Sequence, residues 1–63
     1  MNNNEEKLYG MHEAAEYLGI CYRTMQNIVY AREIGFVRIR KYYKFRESDL
    51  KKYIEKNYIK PVN

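Results

Sequence analysis

Cationic and aromatic side chains alternate in one short stretch of the chain, residues 37–46. Five of its ten residues are Lys or Arg and none is acidic, so the stretch carries a local charge of +5. Lys and Arg contact the phosphates of nucleic acids, and aromatic rings stack on bases. The stretch therefore predicts a surface that binds a polyanion. Its cations are Arg38, Arg40, Lys41, Lys44 and Arg46.

The charge of the whole chain is unevenly distributed. The formal net charge is +4, yet residues 1–20 hold a single cation, Lys7, against four glutamates. A basic region confined to one part of a small chain is typical of a protein that presents one face to nucleic acid. The 63 residues leave room for one domain.

Two short helices should precede the basic stretch. Met11, Ala14, Ala15 and Leu18 follow the spacing of a one-sided helix. Gly19 comes next and suits the left-handed position just beyond a helix end. The second helix should begin near Cys21 and Tyr22, although Cys21 lacks the side-chain oxygen of a good N-cap. A helix, a tight glycine-containing turn and a second helix form a helix-turn-helix unit.

The second helix should be buried along Met25, Ile28 and Val29 and exposed on its other side. Its outward residues are then Tyr22, Arg23, Gln26, Asn27 and Tyr30.

The basic stretch has the period of two that is typical of a β-hairpin. We expect Val37, Ile39, Tyr43 and Phe45 on an apolar face, opposite Arg38, Arg40, Lys44 and Arg46. The turn should use Arg40, Lys41 and Tyr42 and be loose, because it contains no Gly or Asn. A third helix should start between Glu47 and Asp49, with Leu50, Tyr53 and Ile54 buried.

These elements predict a mainly α fold with a small β-hairpin, a winged helix-turn-helix with two helices, a basic two-stranded wing and a C-terminal helix. We expect a flexible polar arm at residues 1–7, the domain at 8–57 and a short tail at 58–63. Ala31 to Gly35 should contain the loop between the second helix and the wing.

Tyrosine is unusually abundant, with eight residues. Tyr17, Tyr43 and Tyr53 fall on predicted buried stripes. Tyr22, Tyr30 and Tyr42 should be exposed, either to stack on DNA or to form a protein interface, since Tyr is enriched in such patches. His12 should be a surface residue.

Several classes of protein are not expected. One Cys and one His, far apart in sequence, form neither a disulfide nor a zinc site. No catalytic constellation or glycine-rich phosphate loop appears, so we expect no enzyme and no cofactor. The chain has no apolar run long enough for a membrane span and no signal peptide, which predicts a cytoplasmic protein.

Four segments resemble excisionase-type helix-turn-helix domains, close relatives of the mercury-regulator type. Met11 to Ile20 is similar to the family's V-E-E-A-A-E-x-L-G-V opening, and Cys21 to Val29 to its S-R-R-T-V-x-x-L-I segment. Phe36 to Phe45 resembles the A-V-R-I-G-R-R-Y-R-F wing, and Arg46 to Leu50 the R-x-x-D-L start of the last helix. Cys21, Gly35 and Arg40 depart from the usual Ser, Pro and Gly.

The resemblance implies how the chain contacts double-stranded DNA. The second helix would enter the major groove, with Arg23 on a guanine edge and Gln26 or Asn27 on an adenine edge. Tyr22 and Thr24 would reach phosphates. In the wing, Arg38, Arg40, Lys41 and Lys44 would meet phosphates, and the tip would place Arg40 or Lys41 in a minor groove.

Family members include phage and transposon excisionases and small repressors, so an architectural or regulatory factor of a mobile element is the first expectation. We expect a monomer in solution, and the resemblance implies cooperative binding at neighbouring sites, DNA bending and assembly with a recombinase. Two alternatives stay open: a transcriptional repressor on the same fold, and an accessory subunit. Such a subunit would dock onto a recombinase, polymerase or helicase through the exposed tyrosines Tyr22, Tyr30 and Tyr42.

Overall fold

The computed structural model of the protein describes residues 7–62, in which two helices precede a β-hairpin and a third helix follows it. The helices are α1 (Met11–Leu18), α2 (Tyr22–Tyr30) and α3 (Glu47–Lys56). The strands are β1 (Leu8–Tyr9), β2 (Val37–Ile39) and β3 (Tyr42–Arg46), which form an antiparallel sheet in the order β1-β3-β2. The predicted winged helix-turn-helix fold is confirmed. The arm predicted at residues 1–7 lies, apart from Lys7, outside the described residues.

Strand β1 was not predicted. It pairs with the free edge of β3, Leu8 opposite Arg46 and Tyr9 opposite Phe45. Two residues are too few to show the alternation of a strand in the sequence, which is why β1 could not be predicted. The strand depends on the edge of β3 beside it.

The core lies where α1, α2 and α3 meet β3. The inward residues predicted for α2 are buried, and Met11 and Leu18 of α1 are half-buried against the core. Burial of each large apolar side chain contributes about 1.5–3 kcal/mol. Among residues 7–62 the buried hydrophobic side chains are Ala14, Ala15, Met25, Ile28, Val29, Ile34, Phe45 and Leu50.

Helices α1 and α2 end in the same hydrogen-bonded motif. After α1, Gly19 takes φ +73°, and the N–H groups of Gly19 and Ile20 donate to the carbonyls of Glu16 and Ala15. This is the Schellman arrangement, in which a left-handed residue closes the helix. After α2 the same pattern is built around Arg32 at φ +60°, where a residue with a Cβ is strained.

Asp49, in the first turn of α3, is hydrogen-bonded to the last residue of β3 and lies beside the loop that contains Gly35. Its carboxylate accepts hydrogen bonds from the backbone N–H of Arg46 (3.3 Å), from Arg46 Nε (3.2 Å) and from Arg46 Nη2 (3.1 Å). The Arg46 side chain therefore holds the pKa of the buried Asp49 carboxyl below its ordinary value, although burial acts in the opposite direction. A Cβ on Gly35 would lie 3.1 Å from Asp49 Oδ1, so glycine leaves room for the acid.

The hairpin register differs from the prediction. Ile39 pairs with Tyr42, so the connection is a tight loop of two residues, Arg40 and Lys41, and the expected looser tip is wrong. Arg40 has φ +55° and Lys41 has no positive φ, the pattern of a II′ hairpin turn. Arg40 adopts this conformation without the glycine that would favour it.

The observed register places different residues on each face of the wing than the prediction did. Arg38 lies opposite Tyr43, and Val37 lies opposite Lys44, so each pair shares one face of the sheet. The expected separation of an apolar from a cationic face is therefore wrong. All three residues of β2 are exposed because no helix covers this part of the hairpin.

Two residues predicted as core are exposed. The Tyr17 side chain is 36% exposed, with its hydroxyl 3.5 Å from Glu47 Oε2 as a donor and its ring edge-on to Tyr9 at 5.4 Å. Ile54 is also exposed, so of the stripe predicted for α3 Leu50 is fully buried and Tyr53 partly. Tyr43 and Tyr53 pack half-buried against the core, as predicted.

Replacing the Asp49 carboxylate should destabilise the domain. Asp49→Asn keeps the shape but loses the charged hydrogen bonds with Arg46, so we expect the free energy of unfolding to fall by about 1–2 kcal/mol. The pKa of the Asp49 carboxyl is lower in the folded state than in the unfolded state. The stabilisation is therefore complete above the unfolded-state pKa, near 4, and is lost as the pH falls through the folded-state pKa. Urea unfolding at several pH values should therefore show the wild type and the variant converging as the pH falls below the ordinary pKa of an Asp, about 4.

The control is Lys51→Ala, which removes the exposed partner of Glu47 at 3.8 Å and should change stability by less than about 0.5 kcal/mol. A loss equal to that of Asp49→Asn would contradict the special role of the buried acid.

Candidate nucleic-acid interface

A groove runs between α2 and the wing. It has a volume of about 290 Å³ and combines aromatic rings with amine and amide groups. Its α2 side holds Tyr22, Gln26 and Tyr30, which are spaced by four residues and so share one side of the helix. We call it the wing groove. Its described lining is Gly10, Met11, His12, Tyr22, Gln26, Tyr30, Lys41, Tyr42, Tyr43 and Lys44.

The wing groove brings together five of the predicted site residues. Tyr22, Gln26, Lys41, Tyr42 and Lys44 lie in it, although they come from two elements separated by a loop. The Tyr42 ring has Lys41 Nζ at 5.7 Å and Lys44 Nζ at 5.9 Å from its centroid. One exposed ring is thus flanked by two ammonium groups, an arrangement suited to a sugar-phosphate strand.

Arg23 and Asn27 are exposed on the outer side of α2, where they would be the first to meet a surface approaching the helix. They are four residues apart and on the side opposite Met25, Ile28 and Val29, as predicted.

Thr24 lies apart from the wing groove. It borders a different, apolar groove with Leu18, Ile20 and Ile28, and its hydroxyl shares a hydrogen bond of 3.2 Å with Cys21 Sγ. This bond is the largest of the interactions that lower the pKa of the exposed Cys21 thiol. As expected, Cys21 provides no side-chain cap for α2.

Two of the five wing cations are already engaged inside the protein. Arg38 stacks its guanidinium over the Tyr43 ring at 4.9 Å and donates from Nε to the Arg40 carbonyl at 2.8 Å. Arg46 is paired with Asp49. The Asp49 carboxylate offsets one of the five positive charges, whereas Arg38 keeps its charge, and the exposed tip of the wing consists of Arg40 and Lys41.

His12 was predicted to be on the surface and is exposed, but its place in the wing groove was not anticipated. Its ring stacks on Tyr22 with centroids 4.2 Å apart and planes at 23°. The two residues belong to different helices, so only the packing of α1 on α2 brings them together. No local pattern in the sequence signals this contact.

Other kinds of site have no support in the part of the chain that the structure describes. Residues 7–62 contain no group of His, Cys, Asp and Glu side chains that could hold a metal ion. Within the same residues no helix is long and apolar enough to cross a membrane.

Comparison with known protein families decides the class. A family model described as a helix-turn-helix domain matches residues 8–58. The chain belongs to this family. It is thus a small DNA-binding regulatory protein, and the family-level resemblance is confirmed. No curated protein and no solved structure matches the chain.

The strain at the wing tip of this helix-turn-helix protein can be measured. Arg40→Gly and Arg40→Ala both remove one cation, but only glycine relaxes a left-handed φ. We expect the glycine variant to be about 1 kcal/mol more stable than the alanine variant, because a Cβ at positive φ carries about that cost. Thermal or urea unfolding of both variants measures the difference. Equal stabilities would show that the tip does not hold this conformation.

Proposed function

We propose that the chain binds specific double-stranded DNA as a factor of the excisionase type. The observation that carries the proposal is the wing groove, where α2 side chains face the lysines of the wing. A recognition helix and a basic wing that share one surface can grip neighbouring parts of the same duplex.

In this proposal α2 enters the major groove. An α-helix with its side chains is about 10–12 Å across, which fits the roughly 12 Å width of that groove. Arg23 and Asn27 approach base edges from the outer side and Gln26 from the edge of the wing groove. Arg23 suits guanine, and the two amides suit adenine.

The wing then contacts the DNA backbone. Arg40 and Lys41 at the tip reach phosphates or the minor groove, and Lys44 reaches a phosphate from within the wing groove. Arg38 contributes from the other face of the hairpin. Tyr22 and Tyr42 pack against the backbone, and Thr24 approaches a phosphate from the start of α2.

The biological role that we propose is an architectural or regulatory factor of a mobile element. Binding at neighbouring sites would bend the DNA and let a recombinase assemble in the direction of excision. A transcriptional repressor on the same fold is the near alternative. A subunit docking through its tyrosines is less well supported, because Tyr22, Tyr30 and Tyr42 lie in the groove that also holds the lysines.

Selection of binding sites from a random duplex library tests the proposal. We expect a clear motif, bound by the full chain at sub-micromolar affinity in moderate salt. Motifs that recur in tandem beside a recombination site would favour excision, and a single site over a promoter would favour repression. No motif, with affinity at the non-specific level of about 10⁻⁴ to 10⁻⁶ M, would contradict sequence-specific binding.

The wing should contribute salt-dependent affinity for DNA, and α2 should contribute sequence discrimination, so each contribution can be tested separately. If the wing neutralises about four phosphates, log K should fall with log salt at a slope of roughly −4. Arg40→Ala with Lys41→Ala should make the slope shallower by roughly 2. The matched control, Lys51→Ala with Lys56→Ala, removes two charges from α3, which is not part of the wing groove, and should leave the slope nearly unchanged.

Arg23→Ala should reduce sequence discrimination instead. Loss of a bidentate contact to guanine should cost about 1–3 kcal/mol on the selected site and little on random duplex. Titration of both duplexes at one salt concentration measures the difference. Equal losses on the two would assign Arg23 to a phosphate.

A further inference from the structure

The stacked pair of His12 and Tyr22 introduces a third element into the wing groove, the first turn of α1. The imidazole lies flat on the Tyr22 ring, and both side chains are exposed. Stacking uses the face of the imidazole, so its two nitrogens stay at the edge. Within the described residues neither nitrogen has a hydrogen-bond partner.

The charges near His12 favour an anion over any other ligand. Lys41 and Lys44 line the wing groove with it, and the described lining contains no acid. The neighbouring Glu13 carboxylate accepts from the Gly10 N–H at 3.1 Å and lies 3.8 Å from Lys7 Nζ, and Lys44 lowers its pKa less than these two partners do. A neutral imidazole always has one N–H donor. The wing groove therefore offers two ammonium groups, tyrosine hydroxyls and an imidazole N–H to one acceptor-rich ligand.

We infer that His12 contacts a DNA phosphate directly, on the strand that passes between α2 and the wing. The inference rests on the proposed function and adds a contact from α1. Tyr22 holds the imidazole flat, so the donor is oriented before DNA arrives and little side-chain freedom is lost on binding. A phosphate held from α1, α2 and the wing together would set the angle at which α2 enters the major groove.

The competing explanation is that His12 only supports Tyr22. Two variants separate the explanations. His12→Ala removes both the stack and the donor, whereas His12→Phe keeps an aromatic ring on Tyr22 and removes the donor alone. Each variant is first compared with the wild type by thermal unfolding, where an exposed position should cause little change.

Binding is then measured on the selected duplex with single phosphates replaced, one at a time, by uncharged methylphosphonate. A net hydrogen bond corresponds to roughly three- to tenfold in affinity, so both variants should bind the unmodified duplex about that much more weakly. At one phosphate position the methylphosphonate should weaken DNA binding by the wild type but have a clearly smaller effect on binding by the His12→Phe variant. That non-additivity identifies the phosphate in contact with His12.

Full affinity of His12→Phe would overturn the inference, since the ring alone would then suffice. Unchanged affinity of His12→Ala would also overturn it, as would equal losses for wild type and variant at every phosphate. Failure of the proposed function is a separate result, because the wild type would then select no duplex at all.

Discussion

Burial of Phe45 is the constraint on which the other elements depend. Phe45 is fully buried on β3, the strand that pairs with β1 on one edge and with β2 on the other. Its ring lies 6.4 Å from that of Phe36, which precedes β2, and the next residue, Arg46, leads directly into α3. With no linker after β3, one buried ring determines where α3 begins and in which direction the wing projects.

The electrostatics of the wing follow from this placement. Arg46, the residue after Phe45, ends β3 and directly precedes α3, and the Asp49 carboxylate that pairs with Arg46 belongs to the first turn of that helix. A cation of the basic stretch is thereby used for folding. Lys44, on the other side of Phe45, lines the wing groove and is half-buried. The exposed tip of the wing keeps two further cations, Arg40 and Lys41.

Strain is located at two exposed turns. Arg32 and Arg40 both have positive φ, one closing α2 and the other forming the wing tip. Each conformation costs about 1 kcal/mol for a residue with a Cβ. In a chain that buries only about 60% of its unfolded surface, such a cost is a substantial part of the total stability. At Arg40 the cost accompanies a cation at the exposed tip of the wing, where a glycine would give a more relaxed turn without the charge.

The sequence by itself determined the helices and the class of the protein. Apolar residues repeat with the helical period in α1 and α2, Gly19 marks the turn, and the basic stretch shows where the wing lies. Only the tertiary structure decided the rest. The register of the hairpin depends on Arg40 adopting a conformation that its own side chain disfavours, and β1 forms only because β3 offers it an edge. His12 and Tyr22 meet because α1 packs on α2. Local patterns record the preference of each segment, whereas these contacts arise between segments, through the burial of Phe45 and the side chains around it.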